Sequence, residues 1–471
     1  MRRFILASSA AFALFACGGS EDTDLFSDSG TGPDTSTGDA SLDGSGADTG
    51  GDASLADVVV DTGPTCQGLE CQIVKCDGAT TTLSGIVYDP AGLRPLPNVA
   101  VYVPNGATAA IADGLTCSSC QAALSGKPLS VVTTDAKGQF SLKNVPVGAN
   151  IPLVMQLGKW RRSVAVPSVS ACVDNPIADK NLTRLPKNKA EGNLPLIALE
   201  SSGFDQLECF LTNQIGLDTA ELTSAAGTGR VHVYKGTGAS TGLPLGATDA
   251  YAFWGSLATM KNYDLLFNAC EAQLTSRDTQ GPAYTNMKSY LEAGGRFIAE
   301  HYQYNWFATS TQCGGDVSCK GPADFNGVAS WGTTNPTTPP ESVDVSHPRG
   351  QVFSDWLVAV GGSTTAGQIS LTDVRNDVGA VKAPTTRWLY GGPVNATTSY
   401  ALSFNTPIGA GNQCGRAVFA DFHAGGTYQN PNAAWPASCN GQPTAPNKNS
   451  ALAMEYAFFD AFSCVQDDTK P

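Results

Sequence analysis

The chain has 471 residues, 15% of them charged against 42% hydrophobic, and a formal net charge of −14. That length supports two or three domains with their own cores. The acidity is concentrated in residues 18–65, which hold eleven Asp and Glu and no Lys or Arg; the remainder is mildly acidic with no basic patch, which excludes nucleic acid as a partner.

Arg2 and Arg3 precede an apolar run at 4–15 that ends at Cys17, followed by Gly18, Gly19 and Ser20. The run is too short to cross a bilayer as a helix, so residues 1–16 read as an export signal. The residues around Cys17 resemble the lipobox of bacterial lipoproteins. That resemblance implies that residues 1–16 are removed and Cys17 carries the lipid. Gly18 stands where that family has Asp for inner-membrane retention, which implies an outer-membrane anchor on the periplasmic or outer face. Residues 17–65 follow as an acidic tether in which GDASL occurs twice. Such a segment cannot bury enough apolar surface to fold. As a flexible coil it spans about 40 Å. Its Asp residues lack the closing bidentate Glu of a calcium loop, so it reads as a solvated spacer.

Fourteen cysteines fit an oxidising compartment. With Cys17 set aside, six fall in residues 66–190 and seven in 191–471. The even and odd sets predict three disulfides in the first region, then three plus one free thiol in the second. Cys117 and Cys120 are spaced as a redox or zinc half-site. No His follows them for haem attachment and no second such pair completes a zinc site, so they read as structural.

Residues 66–190 predict a small antiparallel β-sandwich, with short strands at 82–89, 98–103, 131–135, 139–142 and 151–157 broken by Gly, Pro and Asn. The order Gly85, Val87, Asp89, Pro97, Val101, Val103, Thr134, Asp135, Gly138, Phe140, Asn144, Val145, Pro146 and Gly148 resembles the carboxypeptidase regulatory-like domain. The resemblance implies a transthyretin-like sandwich, grouped with carbohydrate-binding-like folds and carrying no catalytic residues.

Residues 191–471 change to strands alternating with helices. Strands are predicted at 194–199, 230–234, 263–268 and 296–300. A helix capped by Ser202 carries Phe204, Leu207, Phe210 and Leu211 on one face, another at 284–293 is closed by Gly294 and Gly295, and a third spans 451–462. This predicts a three-layer α/β domain with a mostly parallel sheet, whose ligands bind at the carboxyl ends of strands. Residues 290–301, 346–348 and 415–423 are similar to the class I glutamine-amidotransferase-like superfamily, and within it to the trehalose-utilisation (ThuA-like) family. The resemblance implies a flavodoxin-like fold. It also argues against glutaminase activity, because the elbow position that carries the family's nucleophilic Cys holds His301. His423 stands where the family's catalytic His stands.

The candidate catalytic residues are His301, His423, Cys270 and Glu300. Cys270 is either a displaced thiol nucleophile or half of a disulfide. His301, His347 and His423, with Glu271 or Glu300, form a candidate divalent-metal site able to activate water. Tyr302, Tyr304 and Trp306, with Glu271, are candidates for ligand contact because aromatic faces suit sugar rings. Trp254, Trp331, Trp388 and Trp435 would extend that wall; the competing reading is a buried aromatic core. Residues 309–347 are expected to form a lid braced by Cys313 and Cys319. The leading functional expectation is a surface lipoprotein that binds carbohydrate or glycan fragments. The alternatives are a His-dependent, metal-assisted hydrolase acting on extracellular saccharides, and a non-catalytic structural or interaction protein.

Overall fold

Strict alternation sets the first region. In the segment at 139–143, Phe140 and Leu142 point inward while Gln139, Ser141 and Lys143 face solvent. Seven strands follow in order: β1 (Thr82–Ile86), β2 (Ala100–Pro104), β3 (Pro128–Thr133), β4 (Gln139–Lys143), β5 (Gly148–Leu157), β6 (Trp160–Val169) and β7 (Asp174–Pro176). They form two sheets, β4-β1-β7 and β3-β2-β5-β6, antiparallel except for the β1–β7 pair. Leu83 and Leu142 of one sheet join Val101, Ile151 and Leu153 of the other in one core. The β3–β4 turn is the one expected: Asp135 Oδ1 accepts from the Lys137 and Gln139 amides, and Gly138 takes a φ of 69°. A Cβ at Gly138 would stand 2.7 Å from the Val87 carbonyl.

The computed structural model describes residues 66–117, 124–239, 243–244, 246–335, 337–392, 397–426, 433–441 and 448–465. Cys17, the signal and tether segments, and Cys120 lie outside the described residues.

From residue 197 six strands follow, of which the first, fifth and sixth are buried along their whole length and the fourth is exposed. They are β8 (Ile197–Ser201), β9 (Leu222–Thr223), β10 (Val231–Lys235), β11 (Thr248–Asp249), β12 (Leu265–Asn268) and β13 (Arg296–Glu300). There follow β14 (Ala329–Trp331), β15 (Glu341–Val343), β16 (Gln368–Ile369), β17 (Val378–Val381), β18 (Thr386–Tyr390), β19 (Ser399–Thr406) and β20 (Gly415–Ala420). Eleven strands make one sheet in the order β11-β10-β8-β12-β13-β20-β19-β18-β15-β16, with β9 beside β10. Pairing is parallel from β11 through β20 and antiparallel beyond it. The sheet is therefore mixed, with a parallel majority and an antiparallel arm. That arm, β19, β18, β15 and β16, is inserted between β13 and β20 and is made of strands too short or too polar to stand out by pattern; β14 and β17 pair apart from it.

Helices Ala283–Glu292 and Lys448–Phe462 lie where the sequence places them. The segment after Ser202 differs. Ser202 Oγ does accept from the Phe204 and Asp205 amides, but the turn that follows is α only over Leu207–Cys209 and then widens, and Phe204 is 48% exposed. The expected lid at 309–347 is built structure containing the Cys313–Cys319 bridge, helix Ala323–Asn326, β14 and β15.

Residues Pro64–Pro471 form one compact unit. Trp160 of β6 packs edge-on against Phe458, Phe459 and Phe462 of the last helix, with centroids 5.9–6.3 Å apart. Disulfides join Cys66–Cys71, Cys76–Cys172, Cys209–Cys439, Cys313–Cys319 and Cys117–Cys414. The last corrects the expectation that the first six cysteines pair among themselves: Cys117 crosses to the second region. Cysteine counts constrain parity and leave connectivity free. Among the described residues Cys270 is the free thiol.

Candidate functional site

The parallel strands β12, β13 and β20 end on one edge of the sheet, and each is followed by a residue with a donor side chain. Cys270 follows β12, His301 follows β13 and His423 follows β20. The backbone is bent to aim them. His301 takes a φ of 35° as the chain passes from β13 into the short helix His301–Trp306. Ala272, at φ 58°, turns its amide back to donate to Cys270 Sγ at 3.3 Å. Asp373 adopts φ 57°. Non-glycine residues in this region are strained, and such strain clusters at functional sites.

Cys270 Sγ lies 3.1 Å from His301 Nδ1, and His423 Nε2 lies 3.3 Å from the same nitrogen. The outer nitrogen of each ring meets a carboxylate. His301 Nε2 is 3.2 Å from Asp377, and His423 Nδ1 is 3.1 Å from Asp373. Cys270, His301 and His423 are 1%, 5% and 4% exposed, whereas the Asp373 side chain is 42% exposed and opens the cluster to solvent. The half-buried Tyr302 ring lies over His301 at 4.0 Å.

Burial pushes the Cys270 thiol up, but His301 and His423 outweigh it and bring it to about 6. Burial disfavours the charged His423 ring, yet Asp373, Cys270 and Asp205 raise it to about 10. His301 is raised against burial by Asp377 and Cys270. Asp373 is held to about 2, chiefly by His423. Behind the cluster, burial and then the charge of Glu271 push Glu200 well above the carboxylate range; burial and then Asp205 do the same to Glu300.

The structure thus brings Cys270, His301 and His423 together. It does not bring the other candidates to them. His347 caps helix Pro348–Ala359, its Nδ1 accepting from the Gly350 amide and its Nε2 bonding to the Arg387 carbonyl, so both ring nitrogens are committed away from the cluster. This corrects the three-histidine metal site. Glu300 is fully buried beside Asp205 and does not face solvent. Glu271 is also fully buried: it pairs with Arg277 and accepts from the Thr237 amide and the Tyr251 hydroxyl, so it braces the loop after Cys270 and is closed to ligand. Gly236 permits this arrangement, because a Cβ there would overlap Glu200 Oε1.

The sugar-binding wall is also corrected. Trp306 is fully buried, donates to Gln303 Oε1 and packs against Trp254, Tyr284 and Phe297. Tyr304, Trp254, Trp331 and Trp388 are buried too. The alternating aromatic run serves as core, leaving Tyr302 as its half-exposed member beside the cluster. Asp373 and Asp377 are the residues that sequence reasoning missed. They sit in a loop with no helical or strand periodicity, and nothing local marks them as partners of rings far away in the chain.

A separate polar cleft of about 770 Å³ lies against the antiparallel arm. Thr386, Arg387, Asn405, Gln413, Asp344 and His347 line it, together with apolar residues such as Val381 and Pro384.

No family model matches the chain, and no curated protein matches it. Among solved structures, a mutant type II cohesin–X-dockerin complex from Acetivibrio cellulolyticus is 13% identical over 32% of this chain and 79% of that one, with a TM-score of 0.15. A cytoplasmic protein from Salmonella typhimurium is 12% identical over 55% of this chain and 98% of that one, with a TM-score of 0.27. Similarities this slight carry no argument about fold or activity.

Proposed function

We propose that the chain is an extracytoplasmic hydrolase whose reacting centre is formed by Cys270, His301 and His423. The observation that carries this is their convergence: three buried donor atoms from three strand ends, with Asp377 and Asp373 fixing the far nitrogen of each ring. With the two-residue strands β9 and β11 left aside, the parallel strands run β10, β8, β12, β13, β20. Numbered along the chain these five read 2-1-3-4-5, the order of flavodoxin-like sheets, whose ligands bind beyond the strand ends beside the first and third strands. Cys270 follows the third of the five. This order supports a flavodoxin-like reading of the domain, in which the centre would stand at the ligand-binding end. In this reading Cys17 carries the lipid, the outer membrane holds the anchor, and the acidic tether carries the folded unit away from it. Ester, amide and glycoside substrates assayed with wild type and with Cys270→Ser and His423→Gln test it. Activity on one class, reduced at least about 100-fold in both variants, is expected. Unchanged activity in both variants overturns it.

The polar cleft favours a second reading, saccharide binding away from the centre. Hydroxyl, amide and guanidinium groups line a volume within the range of small-ligand sites. Titration calorimetry against an oligosaccharide panel tests it. Binding weakened by Asn405→Ala supports the reading, and no binding across the panel sinks it.

A further inference from the structure

We infer that the Cys270–His301–His423 cluster is a binding site for a zinc-class divalent metal, with one thiolate and two imidazole ligands and one position left open. This rests on the reading of the cluster as the reacting centre and names what that centre holds.

The first argument is distance. Sγ of Cys270, Nδ1 of His301 and Nε2 of His423 all lie within 4.8 Å of one another. A tetrahedral ion with bonds of about 2.0 Å to nitrogen and about 2.3 Å to sulfur holds its donors about 3.3 Å apart for two nitrogens and about 3.5 Å for nitrogen and sulfur. The two nitrogens here are 3.3 Å apart and the sulfur is 3.1 Å from His301. These two spacings meet that requirement with a shift of a few tenths of an ångström at the thiol.

The second argument is orientation. Asp377 and Asp373, as carboxylates, only accept hydrogen bonds, so the ring nitrogens facing them carry protons. That leaves His301 Nδ1 and His423 Nε2 facing each other, with the Cys270 sulfur beside them. A cation at their meeting point takes the place of the protons these three atoms share and accepts all three as donors.

Third, the outer partners are those that metal-binding histidines use. A carboxylate on the far ring nitrogen fixes the tautomer and makes the ring a better donor. Both histidines have one.

The donor set selects the metal class. Thiolate with two imidazoles suits zinc and its neighbours, whereas calcium and magnesium require oxygen ligands. Three protein ligands with an open position is the pattern of catalytic rather than structural zinc sites. An ion there would supply Lewis acidity toward water or a substrate carbonyl.

The test is metal content and spectroscopy on the full chain. One equivalent of zinc is expected after loading and dialysis. Cobalt substitution is expected to give a thiolate-to-metal charge-transfer band, lost in Cys270→Ser. Asp373→Ala is expected to keep that band while weakening affinity about 10–100-fold. His347→Asn, which retains a capping side chain, is expected to keep full stoichiometry. Less than a tenth of an equivalent bound, with Cys270 alkylated equally fast in the presence and absence of zinc, overturns the inference. Hydrolysis by metal-free protein overturns it while sparing the hydrolase reading. A loaded protein inert toward every substrate class leaves the metal site standing and removes the hydrolase reading.

Discussion

At the scale of single residues, the molecule accepts an unusual concentration of buried carboxyl groups. Glu208 isolates one consequence. It is fully buried just after β8, and burial raises it to about 8, against the opposing pull of its own backbone and Ser201. The folded chain therefore holds this proton more tightly than the unfolded chain does. Stability contributed by the proton is complete below the ordinary value of 4.5 and is lost as pH rises through about 8. Glu208→Gln keeps the neutral shape and removes the titration. Urea denaturation between about pH 5 and pH 9 is expected to show a flatter stability profile for the variant, gaining on the order of 3 kcal/mol relative to wild type at the alkaline end. Parallel profiles would contradict the burial argument. The residues of the centre were partly legible in the sequence. Cys270, His301 and His423 stand out because each ends an apolar run, and a strand end is where a side chain is both positioned and accessible. Asp373 and Asp377 do not stand out, because their role depends on a loop meeting rings encoded 76 residues before Asp377 and 50 residues after Asp373, and no local pattern records that.

At the scale of elements, periodicity was informative where one physical requirement dominated. Strands buried on both faces need an apolar middle, as Leu265, Leu266 and Phe267 and then Phe297, Ile298 and Ala299 provide, and these two lie where expected. The helix at Lys448–Phe462 is buried over nearly all its length and reads plainly. Two requirements conflicted elsewhere. The run from His301 to Phe307 has the composition of a sugar platform, yet Trp306 is fully buried and packs edge-on against Trp254. Composition gives the chemistry of a face and does not give its direction. The antiparallel arm was hidden for another reason: β15 and the edge strand β16 are short, and their pairing depends on distant partners.

At the scale of the whole molecule, the sandwich and the α/β region share buried charge as well as apolar core. Arg94 pairs with Asp89 of the first region and with Glu455 of the last helix, and also donates to the Gln214 carbonyl. Both carboxylate side chains are 0% exposed. Arg94→Ala would strand two acids in the interior and is expected to cost about 3–5 kcal/mol in chemical denaturation. Arg94→Met combined with Glu455→Gln leaves less charge unpaired and is expected to cost less. A single transition that loses both regions together is expected for Arg94→Ala; two separated transitions would show that the regions unfold independently.

The Cys117–Cys414 bridge also sets a schedule. Its two cysteines are 297 residues apart, and those of Cys209–Cys439 are 230 apart. A chain emerging from its N-terminus presents Cys117 long before its partner exists. In that interval the nearest thiols in the chain are Cys120, Cys76, Cys71, Cys66 and Cys172, all able to form a wrong bond. The native covalent pattern is thus decided late, by the arrival of the last strands, and the early sandwich must wait with Cys117 uncommitted. A disulfide isomerase working on the nearly complete chain answers that problem, and a fragment ending before residue 414 has no correct partner to offer.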